Sequence, residues 1–341
     1  MSDPSLIYLR AHTVIEREKR PWRDYRRRNK YPEYALVFDC ETLLDTSQAL
    51  ILCAYRICKR QEKHSYVCVE EGLVLADEAT KSERLALRQY ARSHRAKVGS
   101  DHSGRIRVWN RSKFIEKIFF KMAYDADALI CGFNLPFDLS RLAVDARKAR
   151  GNKGWSLIMS QYKHKKTGEL RENPFRPRIV IKPKDSKAAF IKFAGVKDGP
   201  HKQGRFLDLR TLGWALRNES YSLESACQAF GVPGKMDHKP SGRITNEEID
   251  YCREDVRASV DLLNAELTEF DSHPIELSPE RAASSASIGK AYLDAMELAP
   301  PAQKFHVSPS VMGSRSAGEV SEVCGTRCRG RMLKHRILRP A

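Results

Sequence analysis

The distribution of apolar and polar residues predicts a β-rich first part of the chain, followed by mixed strands and helices. Apolar runs at residues 35–38, 49–58 and 65–75 are separated by short polar segments. Such runs in direct succession favour an antiparallel meander of strands. Apolar runs at residues 128–132 and 205–209 predict two further short strands.

The spacing of apolar residues predicts the helices. The expected helices cover residues 82–95, 112–123, 223–230 and 246–267, and another opens close to Asp138. The longest helix has a clear start, because Thr245 is a natural N-cap residue. Glu248 follows three residues later, which completes the pattern of a capping box.

A basic segment at about residues 153–205 interrupts this pattern. It contains strand-like stretches at residues 155–162, 175–184 and 188–194, and it is dense in lysine and arginine. One interpretation is a pair of solvated hairpins. The interpretation that we favour is a flap that follows the phosphates of a nucleic acid beside an active site.

A second basic cluster lies in residues 1–33. Its cations between residues 17 and 30 are interleaved with Trp22 and Tyr25. Cations bind phosphates and aromatic rings stack on bases, which is typical of an arm laid on nucleic acid. A solvated leader is an equally open interpretation.

The charge balance indicates a polyanionic partner. The 341 residues include 60 Lys and Arg against 43 Asp and Glu, a net charge of +17 at pH 7. An excess of this size favours nucleic acid, whose phosphates attract basic proteins. No apolar run approaches the roughly 18 residues of a membrane span, and the start lacks the apolar segment of a secretory signal. We therefore expect no membrane partner and a cytoplasmic location.

The nine cysteines are mostly isolated in apolar surroundings. An odd number of scattered cysteines fits a reducing compartment with buried free thiols, and not a disulfide framework. Cys324 and Cys328 form the closest pair. No second Cys/His pair with the spacing of a zinc finger completes a metal site with them.

Two carboxylates follow directly on the first apolar run. Residues two apart in an extended chain point to the same face, so Asp39 and Glu41 can share one small space. Two carboxylates in such a space repel each other unless a cation lies between them. Taken alone, an Asp-x-Glu pair is common at exposed strand ends, so partners elsewhere in the chain must decide its meaning.

Two candidate partners occur farther along the chain. Asp138 follows a short strand and a bend that contains Asn134, where a carboxylate can reach out beyond the strand end. Tyr251 and Asp255 are four residues apart, and therefore lie on one face of the longest predicted helix. These positions can meet Asp39 and Glu41 at one edge of a sheet.

Three other acidic residues of these segments are less suitable. Asp250 and Glu254 form a separate row, about 100° round the same helix. Asp208 ends a predicted strand, and we interpret it as a structural carboxylate.

The ordered set of acidic motifs resembles the DnaQ-like DEDD superfamily of 3′-to-5′ exonucleases, in its tyrosine-type branch. The matching segments are Asp39-Cys40-Glu41, Asn134-Leu135-Pro136-Phe137-Asp138 and Tyr251-Cys252-Arg253-Glu254-Asp255. The likeness is closest to the proofreading domain of family B DNA polymerases and covers roughly residues 34–270. It implies an α/β, ribonuclease-H-like fold with a central mixed sheet flanked by helices. Three strands of that sheet are antiparallel and the rest parallel, and the basic β-rich segment is an insertion.

The resemblance also implies a chemistry, the hydrolysis of DNA from single-stranded 3′ ends. Two divalent ions, Mg²⁺ or Mn²⁺, would lie about 4 Å apart, since such ions prefer hard carboxylate oxygens. Tyr251 would orient the attacking water through its hydroxyl, and Thr42 and Asn134 would contact the terminal nucleotide. The implied metal ligands are Asp39, Glu41, Asp138 and Asp255.

The resemblance ends before a polymerase palm domain. The palm's first metal motif resembles Ser-Leu-Tyr-Pro-Ser, and no such string is present, so polymerase activity is not expected. Residues 286–293 look like the linker towards that domain, and we interpret residues 271–313 as a linker and 314–341 as a basic tail. The chain is then either a polymerase cut short or a protein with a genuine basic appendage.

Two alternatives to a DNA exonuclease stay open. One is an RNA-trimming exonuclease of the same superfamily, because the motifs bind metal and phosphate and do not read the sugar. The other is a non-catalytic nucleic-acid-binding remnant. The retained tyrosine and four carboxylates argue against the remnant, because binding alone does not need them. A separate polymerase or replication protein is a candidate partner, and the oligomeric state stays open.

Overall fold

The computed structural model describes residues 11–12, 31–62, 65–99, 104–150, 154–184, 188–195, 202–296, 298 and 326–327. The chain divides into two units, one of residues 29–291 and one of residues 1–28 with 292–341. The predicted arm and tail fall outside the described residues, apart from 11–12, 31–33 and 326–327. Cys324 and Cys328 also lie outside them.

The strands are named in chain order. They are β1 (Ala11–His12), β2 (Tyr34–Thr42), β3 (Leu50–Arg60), β4 (Tyr66–Leu75), β5 (Arg95–Ala96), β6 (Gly104–Arg105), β7 (Arg107–Asn110), β8 (Leu129–Gly132), β9 (Asp145–Lys148), β10 (Trp155–Ile158), β11 (Gln161–Lys163), β12 (Leu170–Glu172), β13 (Ile179–Pro183), β14 (Ala189–Phe193), β15 (Arg205–Asp208) and β16 (Thr326–Arg327). Strands β1 and β16 pair in parallel with each other.

The helices are named in the same way. They are α1 (Lys81–Ser93), α2 (Arg111–Phe114), α3 (Leu135–Leu142), α4 (Leu209–Arg217), α5 (Leu223–Ala229), α6 (Asn246–Asp271) and α7 (Ser285–Ala295). Two π-helical segments, Ile115–Phe119 and Lys121–Asp125, continue α2, and a 3₁₀ turn covers Pro279–Arg281. Among the helical segments described, none combines the length and the apolar character needed to cross a membrane.

A six-stranded mixed sheet forms the centre of the unit of residues 29–291. Its strand order is β15-β8-β2-β3-β4-β7. Strands β2, β3 and β4 form the predicted antiparallel meander. Strands β8 and β15 add in parallel on the β2 side, and β7 adds in parallel to β4. The predicted α/β class and the central mixed sheet flanked by helices are therefore confirmed.

The two faces of β2 have different surroundings. Leu36, Phe38 and Cys40 belong to a buried core with Phe119 and Leu139 from the helical segments over that face. Because side chains alternate along a strand, the residues between them point to the other face, which helix α6 covers. This alternation directs the carboxylates at the end of β2 towards α6.

The predicted helix at residues 112–123 is present, but most of it is π-helical. Phe114 and Phe119 are five residues apart and fully buried, as are Ile115 and Phe120. A π-helical turn bonds residue i to i+5, so this winding places both pairs on the same apolar face. The sequence spacing alone fits an ordinary helix equally well.

Helix α4 was not predicted. The strand expected at residues 205–209 ends at Asp208, and α4 begins at the next residue. Gly213 in its middle weakens the helical signal. A Cβ at this position would lie 2.9 Å from the Glu266 Oε1 atom, so the glycine lets α4 pack closely on α6.

The basic segment folds as a four-stranded antiparallel sheet of order β14-β13-β10-β9, with a separate hairpin of β11 and β12. The sheet begins with β9, before the predicted boundary at residue 153. The single strand predicted at residues 155–162 is divided into β10 and β11, and the one predicted at 175–184 is shortened to β13. The expectation of a β-rich segment is confirmed, with these corrections to its strands.

The cysteines agree with the prediction of buried free thiols. All seven described cysteines are free and buried. Four of them, Cys40, Cys53, Cys131 and Cys252, lie in or next to the strands and the helix that carry the acidic motifs.

Candidate functional site

The first acidic motif lies at the end of β2. Asp39 pairs with Ala54 and Glu41 with Leu52 across the β2–β3 ladder, and the register shifts directly after Glu41. One carboxylate oxygen of Asp39, one of Glu41 and the Cys252 Sγ atom all lie within 4.8 Å of one another. The two carboxylates thus share one space on the α6 side of the sheet.

The second motif brings Asp138 to the same strand end. Asn134 precedes α3 in the left-handed conformation, with φ of +66°, which asparagine adopts more readily than most residues. Asp138 lies in the first helical turn and is only 2% exposed. Its Oδ1 atom accepts a hydrogen bond of 3.2 Å from the backbone N–H of Cys40. This bond ties α3 to β2 between the two carboxylates of the first motif.

The third motif lies on α6. Thr245 caps the helix by accepting a hydrogen bond from the Glu248 N–H, as predicted. The predicted capping box is wrong, because the Glu248 carboxylate instead accepts hydrogen bonds from Ser241 and lies 2.9 Å from His238 Nε2. The Cys252 thiol donates a hydrogen bond of 3.7 Å to the Asp39 carbonyl, which docks α6 on β2.

A cleft of about 450 Å³ collects the three motifs. Asp39, Asp138 and Asp255 line it together with Asn134. Glu41 lies next to the Asp39 carboxylate, within 4.8 Å, and is electrostatically coupled to Asp39 and Asp255. Of the seven predicted site residues, these five and Tyr251 on the adjoining turn of α6 come together.

Thr42 is the predicted site residue that does not join them. It follows the register shift at the end of β2 and is partly buried there. The cleft is lined without it. A nucleotide contact by Thr42 stays a prediction.

Burial and mutual repulsion raise the pKa values of the carboxyl groups. Burial, followed by the charge of Asp255, raises the pKa of Asp39 to about 7. Burial and the charge of Asp39 raise the pKa of Glu41 to about 8, and burial raises that of Asp255 to about 6. The pKa of Asp138 also lies well above its ordinary value, because of burial and the charge of Asp39. These groups are crowded in a way that a cation would relieve.

The residues present fit divalent cations. Within the described residues, the buried Oδ2 atom of Asp138 and the buried Oδ1 atom of Asp255 have no hydrogen-bond partner. Unpaired carboxylate oxygens are the hard donors that Mg²⁺ and Mn²⁺ prefer. Burial and the charge of Glu41 keep the pKa of the Cys252 thiol well above its ordinary value, so this thiol stays protonated and is a poor ligand.

Lys235 is a candidate site residue that sequence reasoning missed. Its ammonium donates a hydrogen bond of 2.8 Å to the Tyr251 hydroxyl and lies 5.1 Å from the centroid of the ring. Its charge lowers the pKa values of Asp39, Glu41 and Asp255 against the stronger effect of burial. A lysine in a loop of glycine and proline carries no periodic signal, so the sequence gives no reason to select it.

The Tyr251 ring is fixed from a second side. His238 lies 4.9 Å from it between ring centroids and contacts the buried Glu248 carboxylate. Burial, the charge of Asp255 and a hydrogen bond to Asp255 raise the pKa of Tyr251 above its ordinary value. The hydroxyl therefore keeps its proton at neutral pH.

The remaining acidic residues have structural partners, as expected. Asp250 accepts a hydrogen bond from the Tyr90 hydroxyl, and Glu254 pairs with Lys97 and Arg257. Asp208 accepts a hydrogen bond of 3.0 Å from the N–H of Leu135, the first residue of α3. It also caps α4 through Thr211. Asp208 thus connects the starts of two helices next to the cleft.

Comparison with known proteins gives only distant similarity. No protein-family model and no curated protein matches the chain. Two solved structures of phi29 DNA polymerase resemble it. The complex with single-stranded DNA has a TM-score of 0.34 and 12% sequence identity. The complex with primer-template DNA has a TM-score of 0.35 and 13% sequence identity. These two matches cover 78% and 85% of this chain but only 35% and 39% of the polymerase. The chain thus spans little more than a third of that polymerase, and its function has to be argued from its own residues.

Proposed function

We propose that this chain is a metal-dependent 3′-to-5′ exonuclease with a ribonuclease-H-like fold of the DEDD type. One observation carries the proposal: Asp39, Asp138 and Asp255, from three distant segments, line one cleft, and Asp138 and Asp255 each have a buried carboxylate oxygen without a hydrogen-bond partner among the described residues. Removing such oxygens from water costs free energy, and a purely structural role provides no partner that offsets this cost. The meander followed by parallel strands on one side also supports the proposed fold.

The carboxylates are proposed to hold the cations, and Tyr251 to position the attacking water. Asp39, Glu41, Asp138 and Asp255 would bind Mg²⁺ or Mn²⁺, which lower the pKa of water and neutralise charge on the reacting phosphate. The Tyr251 hydroxyl keeps its proton, donates it to Asp255 in a hydrogen bond and accepts one from Lys235. A hydroxyl held in this way orients a water and does not act as its base.

The proposed substrate is single-stranded DNA, and the direction follows from the resemblance of the motifs. The domain of residues 34–270 is proposed to be the catalytic unit. The net charge of +17 supports a nucleic-acid substrate. The raised pKa values of Asp39 and Glu41 reflect carboxyl groups crowded together, which fits a cation site better than a binding surface and counts against the non-catalytic alternative.

The test is degradation of a 5′-labelled single-stranded DNA with Mg²⁺ or Mn²⁺. We expect a ladder of products shortened from the 3′ end, and its loss in EDTA. The variant Asp39→Ala/Glu41→Ala should be at least about a thousandfold slower, because metal binding supplies several kcal/mol of transition-state stabilisation.

A matched control is Asp250→Asn, which changes a carboxylate beside Tyr251 whose partner is Tyr90. This variant should keep its activity. Faster degradation of a matched RNA strand would select the RNA-trimming alternative. Intact DNA and RNA that the protein still binds would overturn the proposal in favour of the non-catalytic one.

A further inference from the structure

A second groove, of about 540 Å³, lies beside the carboxylate cleft. Asn134, Phe137 and Arg210 line both of them. The groove is bounded by helix α3 and by the sheet of the basic segment, which contributes Trp155 and Pro183. A flexible chain bound in the cleft can therefore continue into the groove.

The wall formed by the basic segment is apolar and carries a large aromatic ring. Trp155 is 53% exposed at the start of β10, and Leu157, Ile181 and Ala189 continue the wall. Across the part of the chain that the structure describes, no aromatic ring is stacked on the Trp155 indole. A free indole face on an apolar wall is suited to stack a planar ring.

Two arginines give the groove its charge. Arg141 is held by a hydrogen bond of 2.8 Å to the Gln48 carbonyl and lies 4.9 Å from the centroid of the Phe137 ring. Arg210 is partly buried at the junction with the cleft, and its side chain makes no ion pair or hydrogen bond among the described residues. Asp208, the acidic residue of the groove, already accepts several hydrogen bonds. The junction is therefore suited to an anion such as a phosphate.

The combination of a free indole face and an unpaired arginine matches single-stranded nucleic acid. Every base has a π-face that can stack on an aromatic side chain, and every linkage has a phosphate. Bases within a duplex are already stacked and paired, so their faces are not accessible to Trp155. An apolar small molecule would leave Arg210 without a partner.

We propose that the groove is a nucleotide-stacking subsite for the single strand whose end occupies the carboxylate cleft. Trp155 stacks an unpaired base, and Arg210 binds the phosphate between this nucleotide and the one in the cleft. The inference rests on the proposed function, because it assigns the path of that substrate. It gives the basic segment a role in holding the strand.

The test compares Trp155→Ala with Phe175→Ala in the full chain. Phe175 belongs to the same segment and is 83% exposed, but it does not line the groove. On a labelled 12-nucleotide DNA, Trp155→Ala should raise KM by about 5- to 150-fold, the range for one stacked base, at nearly unchanged kcat. Trp155→Phe should retain most of the affinity, and Phe175→Ala should match the unchanged protein.

A dinucleotide substrate provides a second readout. When its 5′ unit carries no base, nothing can stack on Trp155, so its hydrolysis should be equal in the unchanged protein and in Trp155→Ala. Arg210→Gln should lower the slope of log affinity against log salt by about 0.7 for the longer strand, the loss of one phosphate contact.

The outcomes separate this inference from the proposed function. Degradation of the 12-mer at the same KM by both alanine variants overturns the inference and leaves the exonuclease proposal intact. An equal loss in both variants also overturns it. Binding of the 12-mer without degradation, weakened only in Trp155→Ala, supports the subsite and overturns the proposed catalysis.

Discussion

The ammonium of Lys235 lies 2.8 Å from the Tyr251 hydroxyl oxygen. The hydroxyl accepts this hydrogen bond and donates its own to Asp255. Its direction is therefore fixed from two sides, by a loop residue and by the next turn of α6. The same positive charge lowers the pKa values of the nearby carboxyl groups.

Lys235→Met should lower kcat of the proposed reaction by about 10- to 100-fold, since a hydrogen bond to a charged group contributes about 1.5–3 kcal/mol. The Tyr251 hydroxyl then loses its direction, while the metal ligands stay in place. Lys239→Met is the control, because Lys239 is an exposed residue of the same loop. Equal rates for the two variants, measured on labelled single-stranded DNA, would exclude this role for Lys235.

The metal-free protein should lose stability as the pH rises from about 4 to 8. The folded-state pKa values of Asp39 and Glu41, about 7 and about 8, exceed the ordinary value near 4 of the unfolded chain. The two carboxyl groups bind protons more tightly in the folded protein, and this contributes to the free energy of unfolding. The contribution is fully present below the unfolded-state pKa and is lost as the pH rises through the folded-state pKa. In EDTA, Tm should therefore fall over this range, and it should fall less steeply for Asp39→Asn/Glu41→Gln. Parallel Tm curves for the two proteins would contradict the assignment.

Glu266→Gln should stabilise the protein at neutral pH. The Glu266 side chain is fully buried, and within the described residues both carboxylate oxygens lack a hydrogen-bond partner. Burial and the charge of Asp208 raise its pKa well above the ordinary value. Above the unfolded-state pKa, this carboxyl group must take up a proton when the protein folds, which lowers the free energy of unfolding by about 1.4 kcal/mol per pH unit. The uncharged amide of glutamine removes this cost.

Urea unfolding at pH 5 and pH 7 measures this effect. The difference between Glu266→Gln and the unchanged protein should grow with pH, by about 1–3 kcal/mol over the interval. The control is Glu247→Gln, an exposed position on the same helix, for which no such growth is expected.

Glu71→Gln should destabilise the protein by about 3–5 kcal/mol, the usual cost of breaking a buried ion pair. Glu71 and Arg253 are both buried, and the Arg253 Nε–H donates a hydrogen bond of 2.8 Å to Glu71 Oε1. The amide leaves the Arg253 guanidinium with the half-exposed Asp250, 3.8 Å away, as its remaining charged partner among the described residues. Thermal unfolding measures the loss, and the exposed Glu78→Gln should change Tm little.

Local signals predicted much of the central sheet and the cleft. The apolar runs of β2, β3 and β4 are long and bounded by polar segments, so their existence and pairing are readable from the sequence. Alternation along β2 also placed Asp39 and Glu41 on one face. Helical spacing placed Tyr251 and Asp255 together, and the capping residue Thr245 located the start of that helix.

Features that depend on tertiary contacts could not be predicted. Gly213 weakens the helical pattern of α4 and is explained only by the approach of Glu266. Glu248 has the spacing of a capping box, but buried contacts with His238 and Ser241 compete for its carboxylate. Lys235 meets Tyr251 only because the loop after α5 folds back over α6.

The cleft also depends on the order in which the chain is made. Asp39 and Glu41 are synthesised early, whereas Asp255 belongs to a helix close to the end of the same folded unit. A ribosome-bound chain that has not yet released α6 holds an incomplete set of the proposed ligands. Under the proposed function, cleavage therefore begins only after α6 has left the ribosome, and the completed fold is itself the safeguard.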